Sequence, residues 1–129
     1  MNKRDLEERL ISFAVLIIEI VEKMTDSKAA IHLAGQLLRS GTSPALNYGE
    51  AQSGESRRDF IHKIKIVLKE LRESNICLKI IYRTKLSGSE DKLNFALKES
   101  NELIAIFVKS IETSQKNSQP LSDVQNHKS

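Results

Sequence analysis

The 129-residue sequence predicts an all-α protein that folds as an antiparallel, up-down-up-down four-helix bundle. Apolar residues recur at three- and four-residue steps in four long segments, which is the spacing of one face of a helix. Short stretches rich in Ser, Gly and Thr separate these segments, and short connections favour antiparallel neighbours. No stretch alternates apolar and polar residues as a half-buried strand would.

The first helix is predicted over about residues 5–24, with Asp5 as its N-cap and Glu8 at the capping-box position three residues later. Six apolar residues form its core face: Leu6, Leu10, Phe13, Ile17, Ile20 and Met24. Three further apolar residues lie off this face: Ile11, Leu16 and Ile18. Because a helix that is apolar on more than one side is buried on more than one side, we expect a second contact, with another helix or a second subunit.

The second helix is predicted to begin at Thr25-Asp26-Ser27, any of which can cap it, and to bend or break at residues 40–44. Pro44 lacks an N–H and its ring clashes with the preceding turn. It also disfavours the α conformation at Ser43. Helix is expected to resume through residues 45–52, which predicts a second helix kinked at the proline.

The third helix is predicted over about residues 56–85. Its start, Ser56-Arg57-Arg58-Asp59, is close to a capping box with Asp in place of the usual Glu. The predicted inner face is centred on Ile64 and comprises Phe60, Ile64, Val67, Leu68, Leu71, Leu78 and Tyr82. Asn75 falls on the same face, where it should hydrogen-bond across the bundle or set its register.

A turn at residues 86–89 precedes the fourth helix, and Gly88 is expected to take the positive φ of a helix C-cap. The fourth helix is predicted over about residues 89–113. The rest of the chain is polar with almost no apolar content, which is typical of a disordered tail. We therefore assign residues 1–113 to the bundle and 114–129 to the tail.

The composition indicates a cytoplasmic protein without a membrane partner. Cys77 is the single cysteine, so no intrachain disulfide can form. The apolar run at residues 10–21 contains Glu19 and is too short to span a bilayer, and no signal-peptide cleavage site follows it. The net charge of +3 and a pI near 9.0 are compatible with an anionic partner.

The sequence lacks the usual patterns of metal, nucleophile and cofactor sites. None of His32, His62 and His127 follows a Glu by three residues, as the di-metal bundles require, so no metal is expected. No strand-turn-helix elbow is present to hold a nucleophile, and the glycines match neither a P-loop nor a dinucleotide fingerprint. We expect no enzyme and no cofactor. One alternative stays open, because Arg57 or Arg58 together with His62 approximates the R-x4-6-H element of HEPN ribonucleases.

The strongest functional signal is positive charge on the predicted third helix. Residues 56–85 contain nine Lys or Arg and three acids, an excess of six against three for the whole chain. Seven basic side chains fall within an arc of roughly 100°: Arg58, His62, Lys65, Lys69, Arg72, Lys79 and Arg83. Such a stripe is typical of a phosphate-backbone binder, without base stacking because no aromatic residue interleaves it. The alternative is a solvated face with intrahelical pairs such as Lys69–Glu73.

One stretch carries a specific combination of motifs: Ser40-Gly41-Thr42-Ser43, Asn47, Glu50-Ala51-Gln52, Glu55-Ser56, Asp59-Phe60-Ile61-His62-Lys63, Leu68-Lys69-Glu70 and Glu73-Ser74. Over residues 37–86 this closely resembles the S23 family of four-helix bundle proteins, first noticed in intervening sequences of bacterial 23S rRNA genes. Pro44 directly after Ser43 departs from the Ile-Gly or Ile-Pro that commonly follows the Thr-Ser pair of the family.

The resemblance implies a homo-oligomer, typically a pentameric ring. A related branch is similar to the accessory protein of diversity-generating retroelements, which associates with reverse transcriptase and nucleic acid. The resemblance implies no catalytic residues, and it makes the spacing of Arg57 and His62 part of a helix start. Asn47 and Glu50 within the signature are expected to make fixed polar contacts.

We therefore expect a non-enzymatic, homo-oligomeric interaction protein that binds RNA or DNA through the basic face of the third helix. A HEPN-like ribonuclease and a purely structural oligomer that binds only a protein partner are the alternatives.

Overall fold

The computed structural model describes residues 1–54 and 56–118. This part of the chain contains four α-helices and no strand, which confirms the predicted all-α fold. The helices are α1 (Lys3–Glu22), α2 (Lys28–Gln52), α3 (Arg57–Thr84) and α4 (Glu90–Ser118). None of these helices is long and apolar enough to cross a membrane.

Each helix packs against two neighbours, since α2 and α4 both contact α1 and α3. Helices α1 and α3 therefore occupy opposite corners of the bundle. The neighbours α2 and α3 run antiparallel, as do α1 and α4, because their contacts join the early part of one helix to the late part of the other. The pairs that define these directions are Ser40–Ser74 and Glu50–Lys63 between α2 and α3, and Arg9–Glu99 and Glu19–Lys92 between α1 and α4.

The core is one cluster of apolar side chains contributed by all four helices. On α1 the predicted face is buried from Leu6 to Ile20. Across the bundle, the ring of Tyr48 in α2 meets Phe107 of α4 edge-on, with centroids 5.7 Å apart. Such edge-to-face contacts add to the stabilisation from burial alone.

The buried face of α3 is rotated relative to the prediction. Tyr82, expected inside, is 50% exposed, whereas Cys77 and Ile81 are buried. The reason is the position of α2, which packs against the side of α3 that carries Ser74 and Cys77. A helical wheel shows which residues share a face, but the neighbouring helix decides where the centre of burial lies.

Helix α2 is continuous through Pro44, so the predicted break is wrong. Hydroxyl groups in the preceding turn donate to carbonyls beside the missing N–H. Ser43 Oγ donates to Arg39 O at 2.7 Å and Thr42 Oγ1 to Leu38 O at 2.7 Å. The carbonyl that loses its donor at Pro44 is that of Ser40, four residues earlier. The two hydroxyls instead add hydrogen bonds to the carbonyls of the residues before it. A kink at Pro44 stays a prediction.

Small residues in the same turn let α2 approach α1 closely. Gly41 and Ser40 are buried, and a Cβ added at Gly41 would lie 2.6 Å from Cγ1 of Ile17. Real Cβ contacts are longer, so only glycine permits this spacing. The Ser-Gly-Thr-Ser motif therefore has a packing role.

The helix caps differ in part from the prediction. Asn2, not Asp5, caps α1, and its side chain accepts a hydrogen bond from Asp5 N. Ser27 and Ser56 cap α2 and α3 in the same way, as predicted. The left-handed residue after α3 is Lys85, with φ 56° and ψ 37°, and no described glycine has positive φ.

Gly88 is instead required by a close approach. A Cβ added there would collide with the carbonyl oxygen of Lys23 in the loop that joins α1 to α2. In the same region, Thr25 N donates to Leu86 O at 3.3 Å. The two loops at this end of the bundle therefore pack backbone against backbone.

Helix α4 extends to Ser118, beyond its predicted end at Thr113. Residues 114–118 are therefore helical, and their assignment to a disordered tail is wrong. The polar composition of these residues does not prevent a helix that is already formed from being extended by further turns. The rest of the predicted tail, with His127, lies outside the described residues.

Candidate nucleic-acid interface

The seven basic residues predicted to bind nucleic acid all lie on the outer side of α3. Their side chains are exposed and follow one another at steps of three, four or seven residues, so they form a single stripe, which we call the basic stripe. None of them forms an ion pair with any residue in 1–54 or 56–118. The members are Arg58, His62, Lys65, Lys69, Arg72, Lys79 and Arg83.

Two acids in the middle of α3 form ion pairs with Arg39 of α2. Arg39 Nη1 donates to Glu70 Oε2 at 2.8 Å, and Arg39 Nη2 donates to Glu73 Oε2 at 2.7 Å. The hydrogen bond from Arg39 is the main cause of a pKa of Glu73 below its ordinary value, and the charge of Lys69 lowers it further. Because Arg39 provides the hydrogen bonds to these carboxylates, the cations of α3 stay available to other anions.

The middle of the basic stripe borders an open apolar groove of about 720 Å³ between α2 and α3. Ile76 and Ile80 of α3, 55% and 42% exposed, lie in it. The lining residues of α2 are Leu33, Gln36, Arg39 and Ser40, and those of α3 include Lys65, Lys69, Arg72 and Cys77. Burial in the wall of this groove raises the pKa of the Cys77 thiol.

This groove was not predicted from the sequence. A signal for it exists, since Ile76 lies four residues after Arg72 and seven before Arg83, in phase with the stripe. The α2 lining could not be assigned without knowing which helix lies beside α3.

The predicted structural polar residues lie outside the basic stripe, and of the three only Asn75 is buried. Asn75 Nδ2 donates to Ser100 Oγ at 2.8 Å and to Asn101 Oδ1 at 3.2 Å, which links α3 to α4. Glu50 of α2 pairs with Lys63 of α3. Asn47 donates only to Ser43 O, within its own helix, at 3.0 Å.

The residues of the ribonuclease alternative lie together at the N-terminal end of α3. An open cleft of about 620 Å³ is lined by Arg57, Arg58 and His62. Lys65 of α3 and Gln115 of α4 also line it. The imidazole of His62 is exposed and makes no hydrogen bond to another described residue that would orient it as a base. Among residues 1–54 and 56–118, no three His, Cys, Asp or Glu side chains are grouped to hold a metal ion.

Comparison with known families identifies the chain. A family model described as "23S rRNA-intervening sequence protein" matches residues 5–109. The chain belongs to this family. The match includes residues of all four helices, among them most of the outer helices α1 and α4 that the motifs of residues 37–86 did not reach. No curated protein matches the chain.

The fold is similar to a solved structure from the same family. This relative is a protein of unknown function from the S23 ribosomal protein family of Bacteroides thetaiotaomicron VPI-5482. The two chains share 28% sequence identity with a TM-score of 0.77. The alignment covers 87% of this chain and 99% of the relative. The family and the fold are thereby established.

Proposed function

We propose that this chain is a non-enzymatic, homo-oligomeric interaction protein that binds RNA or DNA through the basic stripe of α3. The supporting observation is that the seven basic residues of the stripe are exposed and have no ion-pair partner among the described residues. A cation without a protein partner keeps its attraction for phosphate oxygens, and neutralising phosphates releases condensed counterions.

The dimensions of the stripe suit a nucleic-acid backbone. From Arg58 to Arg83 it extends about 38 Å at 1.5 Å per residue, which is close to the length of one duplex turn. No aromatic side chain belongs to the stripe, so it offers phosphate contacts and no stacking platform. We therefore propose binding that depends weakly on base sequence.

The test is a binding titration with a fluorescently labelled 20-nucleotide single-stranded RNA of mixed sequence. We expect affinity to fall linearly in a log–log plot between about 50 and 200 mM salt. The variant Lys65→Glu/Lys69→Glu/Arg72→Glu should abolish binding at the higher salt concentration. At low salt, removing three phosphate contacts should reduce the slope of the plot by about 2, at 0.7 per contact.

A matched control separates the stripe from net charge. Lys28, Lys109 and Lys116 are exposed cations on α2 and α4, and none forms an ion pair with a described residue. Reversing these three to Glu changes the net charge by the same amount. Wild-type affinity in the stripe variant, or equal losses in both variants, would refute the stripe as the binding site. No binding even at low salt would favour a structural oligomer with a protein partner.

A second candidate activity is RNA cleavage by Arg57 or Arg58 with His62, supported by their shared cleft. The test compares wild type with His62→Ala on bulk RNA. Cleavage that depends on His62 would replace the non-enzymatic proposal. The absence of cleavage, or equal cleavage by both proteins, would eliminate the ribonuclease.

A further inference from the structure

Helix α1 has an apolar outer side that none of the described helices covers. Ile11, Val15 and Ile18 are 41%, 50% and 42% exposed and lie at four- and three-residue steps, so they share one side of the helix. Glu8 and Glu22 continue the same spacing at the two ends, and both are exposed. Neither carboxylate forms an ion pair with another described residue.

Helix α3 carries a stripe of the same form and opposite charge. Ile76 and Ile80 lie in the groove beside α2. Lys69 precedes Ile76 by seven residues, and Arg83 follows it by seven. On α1, Val15 lies seven residues from both Glu8 and Glu22. Each charged pair therefore spans about 21 Å of helix, and each brackets exposed apolar side chains.

The two stripes cannot meet within one chain, because α1 and α3 lie at opposite corners of the bundle. A contact between the stripes of two copies would use different surfaces on each partner. Such a heterologous contact can repeat from copy to copy, which produces a ring if the rotation closes and a filament if it does not.

We infer that α1 of a second copy occupies the groove of α3. Ile11, Val15 and Ile18 of one copy lie against Ile76 and Ile80 of the other, which removes both apolar surfaces from water. The carboxylates of Glu8 and Glu22 lie near Lys69 and Arg83, and this pairing holds whether the two helices run parallel or antiparallel. Seven-residue repeats on both sides are the spacing of paired helices.

This contact overlaps the basic stripe, so its consequence rests on the proposed function. Lys69 lines the groove and Arg83 extends the same stripe, and each side chain meets either a carboxylate of the second copy or a phosphate. Self-association and binding of nucleic acid along the middle of α3 therefore compete. Arg58 and His62, at the other end of the stripe, stay accessible in the assembly.

Charge exchange tests the contact. Variant A is Glu8→Lys/Glu22→Lys, and variant B is Lys69→Glu/Arg83→Glu. In either variant alone, like charges face each other across the contact. We expect each to have the mass of one chain, 14.6 kDa, by size-exclusion chromatography with light scattering. In an equimolar mixture, each contact between a copy of A and a copy of B again joins opposite charges, so the mixture should form species larger than one chain.

Two controls carry the same changes of charge outside the stripes. Glu90→Lys/Glu112→Lys and Lys28→Glu/Lys109→Glu replace exposed residues of α4 and α2, and both variants should keep the wild-type mass. The inference is overturned if wild type is a single chain, if A or B alone keeps the wild-type mass, or if the mixture of A and B stays monomeric. Circular dichroism at 222 nm confirms that all variants are folded.

The nucleic-acid titration distinguishes failure of this inference from failure of the proposed function. Variant A keeps every cation of α3, so it should bind the RNA several-fold more tightly than wild type, whereas B should lose binding. If no protein binds RNA but the masses follow the predicted pattern, the contact stands and the nucleic-acid proposal fails. If B loses RNA binding while all masses stay unchanged, the nucleic-acid proposal stands and the contact between copies is refuted. Unchanged RNA affinity in A, with the predicted masses, would refute the competition.

Discussion

The inner and outer sides of α2 and α3 use polar residues differently. On the inner side, Ser74 contacts Ser40 and Asn75 contacts Ser100, and all four are buried. On the outer side, the basic stripe is exposed without ion-pair partners in the described part of the chain. The same helix therefore holds the bundle together with one side and offers charge with the other. Changes on the inner side should alter stability, and changes on the outer side should alter binding.

The largest difference in the free energy of unfolding is expected between a variant of a core leucine and a variant of a lysine in the basic stripe. Leu71→Ala removes a fully buried side chain of α3 and should lower the free energy of unfolding by about 2–5 kcal/mol, because a cavity is left behind. Lys79→Ala, on the outer side, should change it by less than about 0.5 kcal/mol. Urea unfolding followed by circular dichroism measures both. Similar losses would contradict the division between the two sides.

A smaller effect is expected where α2 approaches α1. Gly41→Ala places a Cβ against Ile17 and should lower the free energy of unfolding by about 1–3 kcal/mol through overpacking. Gly35→Ala is the matched control, since an added Cβ there meets nothing within 4 Å. It should stabilise by about 0.5–1 kcal/mol through helix propensity. Combining Gly41→Ala with Ile17→Ala should cost less than the sum of the single changes.

The polar contact between α3 and α4 tests the buried hydrogen bonds. Asn75→Ala removes the donor to Ser100 and Asn101, and should lower the free energy of unfolding by about 1–3 kcal/mol. Asn47→Ala is the comparison, because Asn47 bonds only within its own helix. A double-mutant cycle with Ser100→Ala isolates the coupling, and no coupling would mean that the contact does not stabilise the bundle.

The bridge from Arg39 to α3 predicts a small pH dependence. The pKa of Glu73 is lowered in the folded protein, chiefly by the hydrogen bond from Arg39. Its contribution to stability is therefore present above the pKa of an unfolded glutamate and is lost as the pH falls through the lower, folded pKa. Because the pair is solvent-accessible, the effect should be modest and weakened by salt.

The measurement compares unfolding midpoints of wild type and Arg39→Met between neutral and acidic pH. Wild type should be the more stable at neutral pH, and the difference should shrink on acidification. A difference that is constant across this range would assign the effect of Arg39 to packing of its side-chain stem.

The smallest change in stability is expected for the triple reversal at Lys65, Lys69 and Arg72. These side chains form no ion pair with a described residue, so reversal should shift the free energy of unfolding by about 0.5 kcal/mol or less per site. Measured in the monomeric range of concentration, this variant should keep its fold while it loses RNA affinity. Marked destabilisation would show that the outer side also supports the bundle.

Much of the fold was accessible from local patterns. The four helices follow from apolar periodicity, and the Ser27 and Ser56 caps follow from residue type. Of the bend or break predicted at residues 40–44, the break is wrong, because the sequence argument counted the lost hydrogen bond and the ring clash of Pro44 without its burial in the folded bundle. In the structure Pro44 is buried within a continuous helix, and the apolar surface that its ring removes from water opposes that loss.

The site was accessible in part. The basic stripe could be predicted because residues on one helix face recur at a known spacing, and the structure places all seven exposed. The role of Arg39 could not be predicted in this way. Arg39 lies on α2, and its pairing with Glu70 and Glu73 depends on how α2 packs against α3. A second apolar side of α1 was predicted from Ile11, Leu16 and Ile18, with another helix or a second subunit as its partner, and Ile11 and Ile18 are exposed in the structure.

The sequence by itself determined the helices, the charge excess on α3 and the family, because each of these is encoded by spacing along one segment. Only the tertiary structure decided which sides of the helices meet. That choice buries Cys77, turns Tyr82 outward, and places Ile76 in a groove edged by unpaired cations. The physical reason is that burial and ion pairing depend on the neighbouring helix, and no local pattern specifies that neighbour.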